Sequence, residues 1–435
     1  MKINDILEID FFLILSAVIL IFCGVLFIYS SGLTSAGELI SKEYIRQIIW
    51  GSAGIIIALI LAMANYRRFY NISFYLYLAV LVPLLYTCIF GRVVHGTRWI
   101  RIGSIGLQTS EFAKIITIVF LARYLSDSQR GENTFIRFIV SCVIVFIPMG
   151  IILVQPDLGT ALVFIPILLC MTFTAGISLR YIIFLLSCIL LTGFLLVLPL
   201  WQDSIAKINV PIISLLTKPR LTAAIIGVMG LIAAISFFGL KQFKKRYFFW
   251  IIYCVLIIAI SMGVSFAARR FLQKYQIMRL IVFLNPNVDP RGAGWNIIQS
   301  ITAIGSGGFN GMGYLQGTQS HYRFLPEQST DFIFSIFSEE MGFLGGIVVF
   351  ILFLVICLRL IRIIKTTADP FGAYICAGLV GLYFFHFFIN VGMTMGIMPI
   401  TGIPLLFMSY GGSALISAMS GIGLALSVHI RRFTR

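Results

Sequence analysis

Charge is scarce in this sequence. Only 11% of its 435 residues are charged, against 60% hydrophobic, and the mean hydropathy is +1.02. Soluble domains carry about 25% charged residues. A chain this apolar cannot cover its surface for water, so lipid is the solvent the composition demands. Histidine is scarcer still: the four His residues are scattered, which argues against a histidine-built metal centre. The eight cysteines fall one to an apolar run without metal or redox spacing, and they read as small packing residues. Alternating ten-residue segments, the mark of an outer-membrane barrel, are absent. Acids number 16 against 32 basic residues, a net charge of +16. In a soluble protein that would suggest nucleic acid. Beside long apolar runs, basic residues more simply mark loops kept in the cytoplasm, and no nucleic-acid partner is expected.

What the sequence has in abundance is spanning runs of about 20 apolar residues. Twelve are expected: 11–30, 46–64, 72–90, 110–125, 136–154, 158–177, 180–200, 221–240, 246–267, 331–359, 370–392 and 402–430. The expected fold is an all-α polytopic membrane protein, one integral membrane domain over 1–435 with no soluble domain. The long stretch 268–330, rich in Gly, Asn, Gln and Ser, reads as a large extracytoplasmic loop. Asp5, Glu8 and Asp10 stand where a secretory signal would be basic, so the first run reads as a permanent span.

Loop charge sets the orientation. With both termini cytoplasmic, the inner loops hold Arg67 and Arg68, then Arg123, Arg130 and Arg137, and the cluster Lys241, Lys244, Lys245 and Arg246. The reverse orientation would export that cluster. The basic residues left outside are concentrated. Arg92, Arg98 and Arg101 share the short loop 91–108, while Arg269, Arg270, Lys274, Arg279, Arg291 and Arg323 belong to 268–330. A long loop escapes the positive-inside rule. The short one does not, and an anionic ligand at the outer surface would explain its three arginines.

Ionisable groups within a bilayer are costly, so each is a functional candidate. Glu111 and Lys114 open the fourth span three residues apart, on one helix face. They read either as a self-neutralising packing pair or as the lining of a polar cavity. Asp157, after Gln155 and Pro156, reads as an N-cap of the sixth span. Glu339 and Glu340 read as bonds to neighbouring helices. Asp331 starts the tenth span in Leu-Pro-Glu-Gln-Ser-Thr-Asp-Phe-Ile-Phe at 325–334. Thr330 or Asp331 could cap that helix. The competing reading is a lone carboxylate at the membrane surface, ringed by arginines and suited to a lipid-linked phosphate.

Seven stretches resemble the SEDS family, in the family's order and across nearly the whole chain: GTRWI at 96–100, QTSEFAK at 108–114, QPDLGT at 155–160, YQIMR at 275–279, GTQS at 317–320, LPEQSTDFIF at 325–334 and TGIPLLFMSYGGS at 401–413. The resemblance implies a SEDS-type helical bundle and a peptidoglycan glycosyltransferase that polymerises lipid II in cell-wall elongation and shape maintenance. It implies Asp331 as the essential carboxylate. Arg98, Trp99, Arg101, Glu111, Lys114, Arg279, Gln319, Ser320, Glu327, Thr330 and Ser409 are then the candidates for binding substrate. It also implies a class B penicillin-binding protein, a transpeptidase, as activating partner, alongside other elongation-complex proteins and membrane lipids. The sequence departs from the pattern in places. The family usually has ten spans, so 201–266 reads as an added pair. Thr109 replaces a usual Pro, and Ser329 replaces a usual His, leaving no imidazole there for proton transfer.

The implied chemistry explains why one acid could suffice. A glycosidase needs a second carboxyl to protonate its leaving oxygen. A pyrophosphate leaves as an anion and asks for cations instead. Asp331 would take the proton from the acceptor 4-hydroxyl in an inverting displacement. Arg98, Arg279 and either Arg101 or a divalent cation, Mg or Mn, would hold the pyrophosphate. Two other classes stay open: a lipid II flippase, which should show paired interrupted spans, and a non-enzymatic cell-wall scaffold.

Overall fold

The computed structural model describes residues 10–90, 99–102, 105–131, 133–206, 210, 213 and 218–432. It separates into two compact units, one formed by Met1–Ile177 with Asn296–Arg435 and the other by Ser178–Trp295.

The first unit begins with α1 (Phe11–Ser31), capped by Asp10, whose side chain accepts from the Leu13 amide at 3.2 Å. Then come α2 (Glu43–Met63) and α3 (Arg67–Phe90). A hairpin follows, β1 (Trp99–Ile102) antiparallel to β2 (Ile105–Gln108), with Trp99 opposite Gln108. It leads directly into α4 (Thr109–Asp127) and α5 (Thr134–Val154). The expected sixth span is two short helices, α6 (Leu158–Leu162) and α7 (Phe164–Thr174).

The second unit is built on α8 (Leu179–Trp201), α9 (Pro219–Phe243), α10 (Arg246–Phe271) and α11 (Lys274–Leu284). Lys244, at φ +51°, turns the chain tightly from α9 into α10. Side chains of α10 bond the backbone of α8 at three levels: Tyr253 to Arg180 O, Ser261 to Cys188 O, and Arg269 to Leu195 O. In a medium without competing water, such bonds align helices that apolar packing alone does not order.

The chain re-enters the first unit along α12 (Ala293–Gly307), then α13 (Thr318–His321), α14 (Ile333–Thr366), α15 (Pro370–Thr394) and α16 (Gly412–Ile430). Part of what reads as a loop over 268–330 is therefore helical.

Among the described residues, ten helices are long and apolar enough to cross a membrane, which makes this a multi-pass membrane protein. The sequence count of twelve included two more segments. One is α4, whose 19 residues carry Glu111, Lys114, Arg123 and Asp127; the other is the pair α6 and α7.

Two expected spans differ in detail. The tenth is not continuous. At Gly342 the backbone of α14 leaves the helical region (φ +65°, ψ −164°), and residues 308–313 dock into the break. Met312 N donates to Glu339 O and Gly313 N to Glu340 O, each at 3.0 Å, while Phe343 N and Leu344 N donate to Gly308 O and Phe309 O. Broken backbone at membrane depth survives only when protein satisfies its polar groups. An apolar run gives no sign of such a break. The last expected span, 402–430, is helical only from Gly412. Residues 401–411 are irregular and largely buried, bent by Pro404 and by Gly402 and Phe407 at positive φ.

Candidate active site

The buried segment 401–413 ties most of the sequence motifs together. Gln47 of α2 donates to Ser409 O at 3.1 Å, and the Ser409 hydroxyl accepts from Leu405 N at 2.8 Å. Gln108 N donates to the Ser413 hydroxyl at 3.0 Å, joining the end of β2 to the start of α16. The Gln108 amide reaches Asp157 at 3.2 Å. Asp157 caps α6 as expected, accepting from Thr160 N at 3.2 Å and from the Thr160 hydroxyl at 2.9 Å. Just beyond, the α6 backbone at Gly159 lies against the Thr401 carbonyl, so close that a Cβ would stand 2.4 Å from its oxygen.

Asp331 lies on this frame. Residues 325–332 form a turn on the Glu327 carbonyl, which accepts from Thr330 N and Phe332 N at 3.4 Å each, with Glu327 at φ +52°. The helix starts at Ile333. Phe332, which makes no side-chain cap bond, holds the N-cap position that the sequence allowed to Thr330 or Asp331. Thr330 instead bonds Glu327, through its carbonyl at 3.3 Å and its carboxylate at 3.4 Å. Tyr410 N donates to Ser329 O at 2.8 Å, and the Asn390 amide nitrogen donates to Asp331 O at 2.9 Å. The turn is thus pinned to the 401–413 segment and to α15, with Asp331 and Thr330 half-buried and Glu327 exposed.

Glu111 and Lys114 form the expected pair, at 2.8 Å and with 3% and 1% of their side chains exposed. A third member was not foreseen. His386 of α15 lies 3.0 Å from the Lys114 ammonium and 3.0 Å from Pro404 O. The ammonium can only donate, so Nε2 accepts and Nδ1 carries the hydrogen given to Pro404. The second carboxylate oxygen of Glu111 is buried with no hydrogen-bond partner.

Glu339 and Glu340 are fully buried. Glu339 accepts from the Thr318 hydroxyl at 3.1 Å, Gln319 N at 2.7 Å and Ser320 N at 3.3 Å. Glu340 accepts from the Ser30 hydroxyl of α1 and from Leu315 N. Neighbouring Tyr314, outside the spans, has its phenol held above its ordinary pKa by burial and, secondarily, by Glu340. Only Glu340 bonds a neighbouring spanning helix; Glu339 holds the 318–320 segment. That commits one candidate, since Ser320 is buried with its hydroxyl on Gly317 O at 3.1 Å; Gln319 gives only its backbone N–H to Glu339, and its side-chain Oε1 has no hydrogen-bond partner.

Trp99 is 45% exposed, its ring lying across Gly106. Arg98 lies outside the described residues, as does the side chain of Arg101. Arg279 belongs to the second unit, its guanidinium 5.6 Å from the Tyr275 ring centre. The residues missed by sequence reasoning, His386 and Asn390, share a signal with Thr394. They recur every four residues as buried polar groups on one face of an apolar span.

Comparison with known proteins agrees along the whole chain. The FtsW/RodA/SpoVE family model, described as a cell cycle protein family, matches residues 11–208 and 201–433. The chain is 46% identical over 433 residues to the peptidoglycan glycosyltransferase RodA of Treponema pallidum (strain Nichols), covering 99% of this chain and 100% of that one. It is 31% identical over 391 residues to the peptidoglycan glycosyltransferase MrdB of Escherichia coli (strain K12), covering 89% and 85%. A solved chain from a peptidoglycan synthase complex that coordinates polymerization and crosslinking shares the fold, with TM-score 0.67, 22% identity and coverage of 98% and 99%.

Proposed function

The chain belongs to the FtsW/RodA/SpoVE family, and from that premise we propose that it is a peptidoglycan glycosyltransferase that polymerises lipid II into glycan strands for cell-wall elongation. The observation that carries the assignment of Asp331 is its setting: a half-buried acid in a turn held by Asn390 and Tyr410 against the segment that also meets Gln108 and Gly159.

The Asp331 carboxylate takes the proton of the acceptor GlcNAc 4-hydroxyl. That oxygen forms a bond to the anomeric carbon of the donor strand, inverting it, and the bond to the undecaprenyl pyrophosphate breaks. The leaving group departs as an anion, so arginines rather than a second acid serve it, with Arg98, Arg101 and Arg279 the candidates. Among the described residues no group of three or more His, Cys, Asp or Glu is gathered to cage a metal, and the scheme routes no step through one. Glu111, Lys114 and His386 form a buried polar cluster within the bundle. The chain lies in a bacterial cytoplasmic membrane with both termini inside, its active face is extracytoplasmic, and it works with a class B penicillin-binding protein.

The test is glycan synthesis from lipid II by the purified full chain in detergent with its transpeptidase, where no membrane has to be crossed. Polymer from the wild type and none from Asp331→Asn is the expected result. No polymer from the wild type removes the enzyme, and full turnover by Asp331→Asn removes the base.

A further inference from the structure

We propose that Asn390 is a positioning residue for this reaction, a buried amide that fixes the backbone at Asp331 and couples it to the irregular segment 401–411; the inference rests on the polymerase reading above. Asn390 is 0% exposed in the middle of the polar stripe on α15. Its Nδ2 donates to two carbonyls, Asp331 O at 2.9 Å and Ile403 O at 2.8 Å. An amide nitrogen has two hydrogens, and both are used. Its Oδ1 is buried without a hydrogen-bond partner, so the side chain acts wholly as a two-pronged donor between two non-helical segments.

The turn needs such a device. Its N-cap residue, Phe332, makes no side-chain cap bond, and the turn's own backbone bonds to Glu327 O are long, at 3.4 Å each. The Ser329 carbonyl is held from one side by Tyr410 N at 2.8 Å, and the Asp331 carbonyl from the other by Asn390. Losing the second contact frees the backbone that carries the base. A misplacement of about 1 Å can cost on the order of 100-fold in rate, while groups that bind the substrate elsewhere are untouched. The signature is therefore a loss in kcat at constant KM.

Asn390→Asp keeps the shape and replaces the NH2 group, so that at most one of the two bonds can be donated. Asn390→Ser is a smaller second variant, less prone to bury an unpaired charge. Each is compared with wild type and Asp331→Asn as the full chain with its transpeptidase partner, measuring polymerisation against lipid II concentration, thermal unfolding, and hydrogen exchange of backbone amides. The expected result is a 10- to 100-fold fall in kcat with KM within two-fold. Faster exchange should be confined to residues 329–335 and 401–411, with 375–385 of the same helix unchanged. Wild-type kcat in both variants overturns the proposal. So does a kcat loss matched by faster exchange throughout α15, or a raised KM at constant kcat. An inactive wild type would instead sink the polymerase reading, so the two failures are distinguishable.

Discussion

The ammonium of Lys114 and the imidazole of His386 meet at 3.0 Å inside the bundle, each 1% exposed. The charge of Lys114 is balanced by Glu111 at 2.8 Å, and the imidazole, neutral and tethered to Pro404, fills the space on its other side. Removing one partner of a buried ion pair strands the other, at a cost of about 3–5 kcal/mol, whereas removing both can be nearly neutral. Lys114→Met and Glu111→Gln should each sharply lower the unfolding temperature of the purified chain, and the double substitution should recover much of that loss. Additive losses in the double-mutant cycle would show that the two side chains do not act as a pair.

Glu339 offers a different test of a buried acid. Its carboxylate accepts from Thr318, Gln319 and Ser320, and all three partners are donors. Glu339→Gln preserves the shape but turns an NH2 group towards at least one of these donors. Each donor left unpaired costs about 1–3 kcal/mol. The expected outcome is faster proteolysis within 312–324 and a lower unfolding temperature. Unchanged protection of that segment would mean that the carboxylate does not hold it.

The spanning helices were legible because lipid demands long apolar runs, and the motifs because they stand in order along one chain. The pairing of Glu111 with Lys114 and the cap at Asp157 followed from spacing alone. Other features were hidden for physical reasons. The break at Gly342 is satisfied by residues about 30 positions earlier, a long-range backbone exchange that no local pattern encodes. The start of α16 was misplaced because residues 402–411 are as apolar as a helix while bonded through side chains. Asn390 and His386 carry no formal charge, so charge does not set them apart from the apolar run in which they are buried.

The contact between Gly159 and Thr401 distinguishes packing at the site from packing elsewhere. A Cβ at Gly159 would stand 2.4 Å from the Thr401 carbonyl oxygen, whereas one at Gly150, in the interior of α5, meets nothing within 4 Å. Overpacking against fixed backbone costs about 1–3 kcal/mol; replacing an unconstrained helical glycine by alanine gains roughly 0.5–1 kcal/mol. Gly159→Ala should therefore lower both stability and polymerisation, and Gly150→Ala should lower neither. Equal behaviour of the two in thermal unfolding and turnover assays would dissociate the 401–413 segment from α6.

The interruption of α14 makes the sharpest demand on a single residue. Gly342 sits at φ +65° and ψ −164°, a region open essentially to glycine alone and costing of order 1–3 kcal/mol for other residues. Space is lacking too, because a Cβ there would stand 2.2 Å from the Gly311 amide nitrogen. Gly346, one turn on, is helical, and its Cβ would come no nearer than 3.8 Å to the Phe334 ring. Gly342→Ala has to expel residues 308–313 or straighten α14, and either course frees backbone groups that lipid cannot satisfy. It should cost well over 3 kcal/mol and abolish accumulation of folded protein, while Gly346→Ala stays within about 1 kcal/mol of wild type. Expression, size-exclusion behaviour and thermal unfolding of the two variants decide it: a stable, monodisperse Gly342→Ala protein would mean that α14 can run straight through this position.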